Sequence, residues 1–179
     1  MAKKTSKSES LSIRMDPKTR FMLEFVARLR GQTITTVIER AITESANRAT
    51  IQPDYNEPET SWRDFWSVNE GERSLKIAGE PQLHPTFEEE RRLAFTKRFW
   101  PFFYKDKKCS AFREDYIDIL WPSIDNIIEN HDELKHSNIN AGPEYMSSLL
   151  SDAKIDPPRW PPLERSGFAD AMDDDDIPF

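Results

Sequence analysis

Ser10-Leu11-Ser12-Ile13-Arg14-Met15-Asp16-Pro17 is the stretch on which the fold turns. Its first six residues alternate polar and apolar, the period of a half-buried strand. Successive side chains of a strand point to opposite faces. Leu11, Ile13 and Met15 therefore face one way, and Ser10, Ser12 and Arg14 the other. Asp16-Pro17 ends the strand and opens a helix, with Asp16 as N-cap and Pro17 at the first helical position. Met22, Phe25, Val26 and Leu29 follow at helical spacing and form one apolar face. Gly31 stops that helix. Thr33 caps a second helix, whose Ile34, Val37, Ile38, Ala41 and Ile42 form another stripe. The predicted order is strand, helix, tight turn, helix.

A single short strand is not stable alone. One strand with two helices also buries too little for independent folding. Two copies solve both problems: the strands pair antiparallel across a two-fold axis, and four helices pack beneath. Residues 10–46 resemble the ribbon-helix-helix family of DNA-binding proteins, in which the two-stranded ribbon enters the major groove. The resemblance implies a homodimer that meets duplex DNA through the outward Ser10, Ser12 and Arg14. Arg14 has the bidentate chemistry for guanine, and the serines can donate to or accept from several bases. The start of the second helix offers free backbone N–H groups and a partial positive charge. Gln32, Thr33 and Ile34 are thus expected around a phosphate. Lys3, Lys4 and Lys7 add contacts to the DNA backbone.

Charge supports this division of labour. Residues 1–50 hold ten Lys and Arg against five Asp and Glu, and residues 51–179 hold fifteen against twenty-seven. A basic head on an acidic body assigns nucleic acid to the head.

Working outward, residues 1–9 read as a flexible arm and 10–50 as the ribbon-helix-helix module. Pro53 and Pro58, with Asp54, Asn56 and Glu57, mark a linker over 51–60. Residues 61–152 are rich in aromatics, which usually means a packed core. Helices are predicted near 61–68, 86–100, 110–130 and 143–152, with Pro101 and Pro122 ending or kinking two of them. Residues 153–179 read as a Pro-rich linker and an acidic tip. Pro157, Pro158, Pro161 and Pro162 favour extended chain around Arg159 and Trp160. The fold class is mainly α, with a disordered acidic tail.

That tail runs Asp173-Asp174-Asp175-Asp176-Ile177-Pro178-Phe179. It closely resembles the acidic C-terminal tip of bacterial single-stranded-DNA-binding protein (SSB), a docking peptide for many replication and repair enzymes. The resemblance implies that Ile177, Pro178 and the Phe179 ring fill an apolar pocket, that a basic rim takes the α-carboxylate, and that the four aspartates steer the encounter.

Other constellations argue against catalysis. His131 and His136 are five apart, which does not put them on one helix face, and with Asp132 they read as solvated surface without a third metal ligand. Glu88, Glu89 and Glu90 beside Arg91 and Arg92 read as a charged helix face. Lys105, Lys107 and Lys108 stand near the single Cys109 and could lower its pKa, but no His lies close in sequence and the thiol reads as buried or idle. Arg91, Arg92, Lys97 and Arg98 with Phe95, Phe99 and Trp100 offer a surface for single-stranded nucleic acid, yet the acidic surroundings favour a core face backed by a wet basic face. No Gly-rich phosphate loop is found. No apolar run approaches a membrane span, and no apolar signal core follows the basic start. The expectation is a cytoplasmic, non-enzymatic, dimeric DNA-binding adaptor or regulator without cofactor or metal. Its tip docks on, or competes for, enzymes that read SSB tails. The competing expectation is a ribbon-helix-helix antitoxin or repressor whose C-terminal region covers a toxin.

Overall fold

A computed structural model of the protein describes residues 12–51 and 58–162. The molecule is mainly helical and divides into two compact units, Met1–Asp64 and Phe65–Phe179.

In the first unit, helix α1 (Pro17–Arg30) begins where expected. The Asp16 carboxylate accepts from the backbone N–H groups of Lys18 and Thr19 at 3.0 and 3.1 Å. Bonds from Thr19 hold this carboxyl below its ordinary pKa. Gly31 ends the helix at φ 60°, a left-handed conformation that other residues adopt only with strain. Helix α2 (Ile34–Ala46) starts at Thr33, whose side chain accepts from the Thr36 N–H at 3.1 Å. Residues 12–15 carry no strand pairing within the described part of the chain.

The predicted linker is in part ordered. Strand β1 (Thr50–Ile51) pairs antiparallel with β2 (Thr60–Ser61), Thr50 opposite Ser61 and Ile51 opposite Thr60. A short helix α3 (Trp62–Phe65) follows. Trp62 Nε1 and Arg63 Nη2 both donate to Asn47 Oδ1, at 3.2 and 2.8 Å, and tie it to the end of α2.

The second unit holds helices α4 (Glu70–Ala78), α5 (Phe87–Arg98), α6 (Glu114–Leu120), α7 (Ile124–Leu134) and α8 (Ala141–Asp152). Helix α4 packs on α5 and α6, and α8 on α6 and α7. Phe99, Phe102, Phe103, Ile117, Leu120, Ile127, Met146 and Leu150 form the buried centre. Thr86 and Glu89 close a reciprocal capping box at the start of α5. Pro101 and Pro122 each sit in a 3-10 turn. The helix expected over 110–130 is thus two, α6 and α7, divided at Pro122. The helix expected over 61–68 is only α3, and α4 was not anticipated. Its sequence is polar and carries Gly71, both poor helix signals, and burial against α6 decides its state instead.

The Pro-rich stretch is not wholly a spacer. Ile155 and Trp160 pack against the core. The Trp160 ring lies 5.2 Å from that of Phe99, and its Nε1 donates to Asn140 Oδ1 at 3.2 Å. The Tyr116 hydroxyl donates to the Asp156 carbonyl at 2.7 Å. Proline stiffens extended chain but does not stop its neighbours from packing, and a Trp side chain buries a large apolar area.

Candidate functional site

The head displays apolar surface that a single copy does not cover. In α1, Phe21, Met22, Phe25 and Leu29 fall within one arc of the helix, and all are exposed, Leu29 at 72%. In α2, Ile34 and Ile42 are exposed as well. Ile13 and Met15 are also open to solvent. Ala27 and Val37 alone are buried in the two helices, where α1 meets α2. Monomeric proteins rarely leave a contiguous apolar stripe of this kind uncovered.

Of the residues assigned to DNA, Ser12 and Arg14 are exposed. Ser10, Lys3, Lys4 and Lys7 lie outside the described residues. At the start of α2, Thr33 and Ile34 keep backbone N–H groups without an acceptor among the described residues. Gln32 does not. Its N–H donates to the Ala27 carbonyl at 2.9 Å and closes the end of α1. Its side-chain Oε1 is buried without a partner among the described residues. Of the three residues expected around a phosphate, Thr33 and Ile34 thus keep an open backbone N–H and Gln32 does not. Asp173, Asp174, Asp175, Asp176, Ile177, Pro178 and Phe179 lie outside the described residues.

The body settles the remaining constellations. His131 is buried at 2% exposure rather than solvated. Its ring stands edge-on to Phe99 at 5.0 Å and to Phe95 at 5.7 Å, and both nitrogens lack a hydrogen-bond partner among the described residues. Burial, and then the nearby Arg98 charge, push its pKa down, so the imidazole is held neutral. Asp132 faces the other way, bonded to Arg91 at 2.8 Å and Lys135 at 2.9 Å. His136 is exposed. The three do not converge, and the described residues hold no cluster of three or more His, Cys, Asp or Glu that could hold a metal. Spacing did not separate His131 from its exposed neighbours; its place on the apolar side of α7, with Ile124, Ile127 and Ile128, was the available signal.

Arg92 makes a two-point contact with Asp125, at 2.8 and 2.7 Å. Phe95 and Phe99 are buried. Neither ring is open to a stacking base, so α5 is a core helix with a wet charged face. Cys109 is only partly buried, and its thiol pKa is raised, chiefly by burial. The positive charge that opposes this is Lys97, which no sequence proximity indicates.

Sequence reasoning missed a paired hollow between α4 and α5. One lobe, about 620 Å³, is lined by Pro85, Glu90, Leu93, Ala94 and Lys97 among others. The other, about 280 Å³, is lined by Leu75, Leu93, Tyr104 and Phe112, with Lys76, Lys97, Lys108 and Cys109. Gly79, Leu93 and Lys97 belong to both. Its walls come from segments up to 47 residues apart, from Phe65 to Phe112, and no local pattern brings them together.

No helix among the described residues is long and apolar enough to cross a membrane. No protein-family model matches the chain, and neither a curated protein nor a solved structure matches it.

Proposed function

We propose that the protein is a dimeric DNA-binding adaptor. Residues 10–50 pair with a second copy and dock on duplex DNA. The tip, residues 173–179, docks on or competes for replication and repair enzymes that read SSB tails. The observation that carries the first half is the open apolar stripe of α1 and α2 beside a capped, Gly31-ended turn. A two-fold partner would cover that stripe and supply the second strand for residues 10–15. The outward polar set Ser10, Ser12 and Arg14 would then line one face of the ribbon, with the N-terminal N–H groups of α2 beside it. The second half is carried by the composition of the tip, four aspartates followed by Ile-Pro-Phe.

A mobility-shift assay with intact protein at low salt tests the DNA half. Arg14→Ala is expected to weaken duplex binding by about 1–3 kcal/mol, by amounts that depend on the sequence offered. Removing Lys3 and Lys4 is expected to weaken all sequences alike. If intact protein shifts no duplex, the head is a dimerisation module alone. Light scattering tests the dimer. Phe25→Asp places a charge in the apolar stripe and is expected to give monomer; a monomeric parent protein would refute the pairing.

A further inference from the structure

We propose that the acidic tip, residues 173–179, docks on its own chain, in the hollow beside Cys109. The docking stands on the hollow itself. Its regulatory consequence, that a docked tip is withheld from enzymes, rests on the function proposed above.

The smaller lobe has the chemistry the tip requires. Leu75, Leu93 and Phe112 supply an apolar floor, and about 280 Å³ accommodates a phenyl ring with a proline beside it. Lys76, Lys97 and Lys108 stand around it. Lys76 is held by Glu72 at 2.8 Å. Lys97 and Lys108 are exposed and have no ion-pair partner among the described residues. Glu80 and Glu90 also line the two lobes. They would repel the aspartates, so the acidic run is confined to the side of Lys97 and Lys108 while Ile177, Pro178 and Phe179 fill the floor.

Chain length permits this. Trp160, packed on Phe99 and Phe102, fixes the point from which the tail leaves the body. Residues 163–172 then separate the body from the first aspartate. Ten residues span about 35 Å when extended and about 17 Å on average when flexible. A body of about a hundred residues has a radius of gyration of about 13 Å. The lobe is therefore within reach. Leu93, Ala94 and Lys97 occupy the side of α5 turned away from Phe95 and Phe99, so the tip would lie on α5 opposite the ring that anchors its base. A tether of this length gives an effective concentration of about 1 mM, at which an intrinsic affinity of about 0.1 mM keeps about nine tips in ten docked.

Cys109, the only cysteine and a wall of the lobe, reports the docking in the full-length protein. The measurement is its rate of alkylation by iodoacetamide. Ile177→Asp combined with Phe179→Asp keeps the tail acidic and removes its apolar end. This variant is expected to react about five- to tenfold faster than the parent. Ala94→Glu, one turn from Lys97 in the wall of the larger lobe, sets a like charge beside the place proposed for the aspartates and is expected to speed the parent too. A peptide of residues 170–179 in excess is expected to slow the tail variant back toward the parent rate. Equal rates in parent and tail variant overturn the proposal. A parent rate that falls with rising protein concentration also overturns it, assigning the lobe to the tip of a second copy. A tip that binds an SSB-tail enzyme while leaving Cys109 equally reactive ends this inference and leaves the proposed function standing.

Discussion

His131 shows how one residue can set a pH dependence that its neighbours do not. Its imidazole is buried against Phe95 and Phe99, with Gly142 so close that an added Cβ would lie 3.2 Å from Nδ1. Arg98, Asp132 and Lys135 are the charged groups that act on it, and burial and Arg98 outweigh Asp132. Its pKa in the folded protein therefore lies below the ordinary 6.5. As pH falls through about 6.5 the unfolded chain takes up the proton first, so stability declines from there until the folded pKa is reached. The slope from one such group is at most about 1.4 kcal/mol per pH unit. The carboxyls of Glu72, Glu89 and Asp132 are shifted downward and act only at lower pH. Urea unfolding at pH 5, 6, 7 and 8 is expected to show the decline in the parent and a flatter profile in His131→Leu. Because Leu also removes two unpartnered buried nitrogens, that variant is expected to be no less stable at pH 7. Parallel profiles would show that the ring is not the titrating group.

At the scale of elements, helix α4 exists because of what lies over it. Gly71 is buried where α6 and the turn after it cross, and a Cβ there would lie 2.5 Å from Ile117 Cγ2 and 2.7 Å from the Trp121 ring. Gly71→Ala is therefore expected to destabilise the body by about 1–3 kcal/mol despite the better helix propensity of alanine. Denaturant unfolding that leaves the midpoint unchanged would show that Trp121 moves aside freely. The same contrast explains what the sequence could show. Asp16, Pro17, Gly31 and Thr33 act within a few residues of themselves, and the helix ends they predict are those observed. Pro101 and Pro122 likewise mark turns wherever they fall. Helix α4, the β1–β2 pair and the docking of Trp160 depend on partners distant in the chain. Of the candidate DNA-binding set, Ser12 and Arg14 are exposed, but Ile13 and Met15 are exposed as well, so a single copy does not display the alternation. The loss of Gln32 depended on how the chain closes the end of α1.

For the whole molecule, the proposed function and the proposed docking together ask two things of the tip: to fill a partner's pocket and to bind its own chain. In the proposed complex with an SSB-tail enzyme, the Phe179 ring and Pro178 fill the apolar floor, and an Arg or Lys of the enzyme pairs with a carboxylate at the end of the peptide, a charge-assisted bond. The aspartates act mainly on the encounter rate. At ionic strength near 0.1 M charges are screened over about 10 Å, so salt is expected to weaken binding without abolishing it. Deleting Phe179 removes the ring, and is expected to cost more than replacing any one aspartate by asparagine. A peptide of residues 170–179 with a free carboxylate is expected to compete with an SSB-tail peptide for one pocket, and its C-terminal amide to compete less well. Titration of such an enzyme with full-length protein and with the Phe179-deleted form decides the matter: equal affinities would remove the tip from the mechanism. If the tip also docks on its own body, full-length protein is expected to bind the enzyme more weakly than the isolated peptide. Ala94→Glu, which leaves the sequence of the tip and the enzyme unchanged, is then expected to narrow that difference.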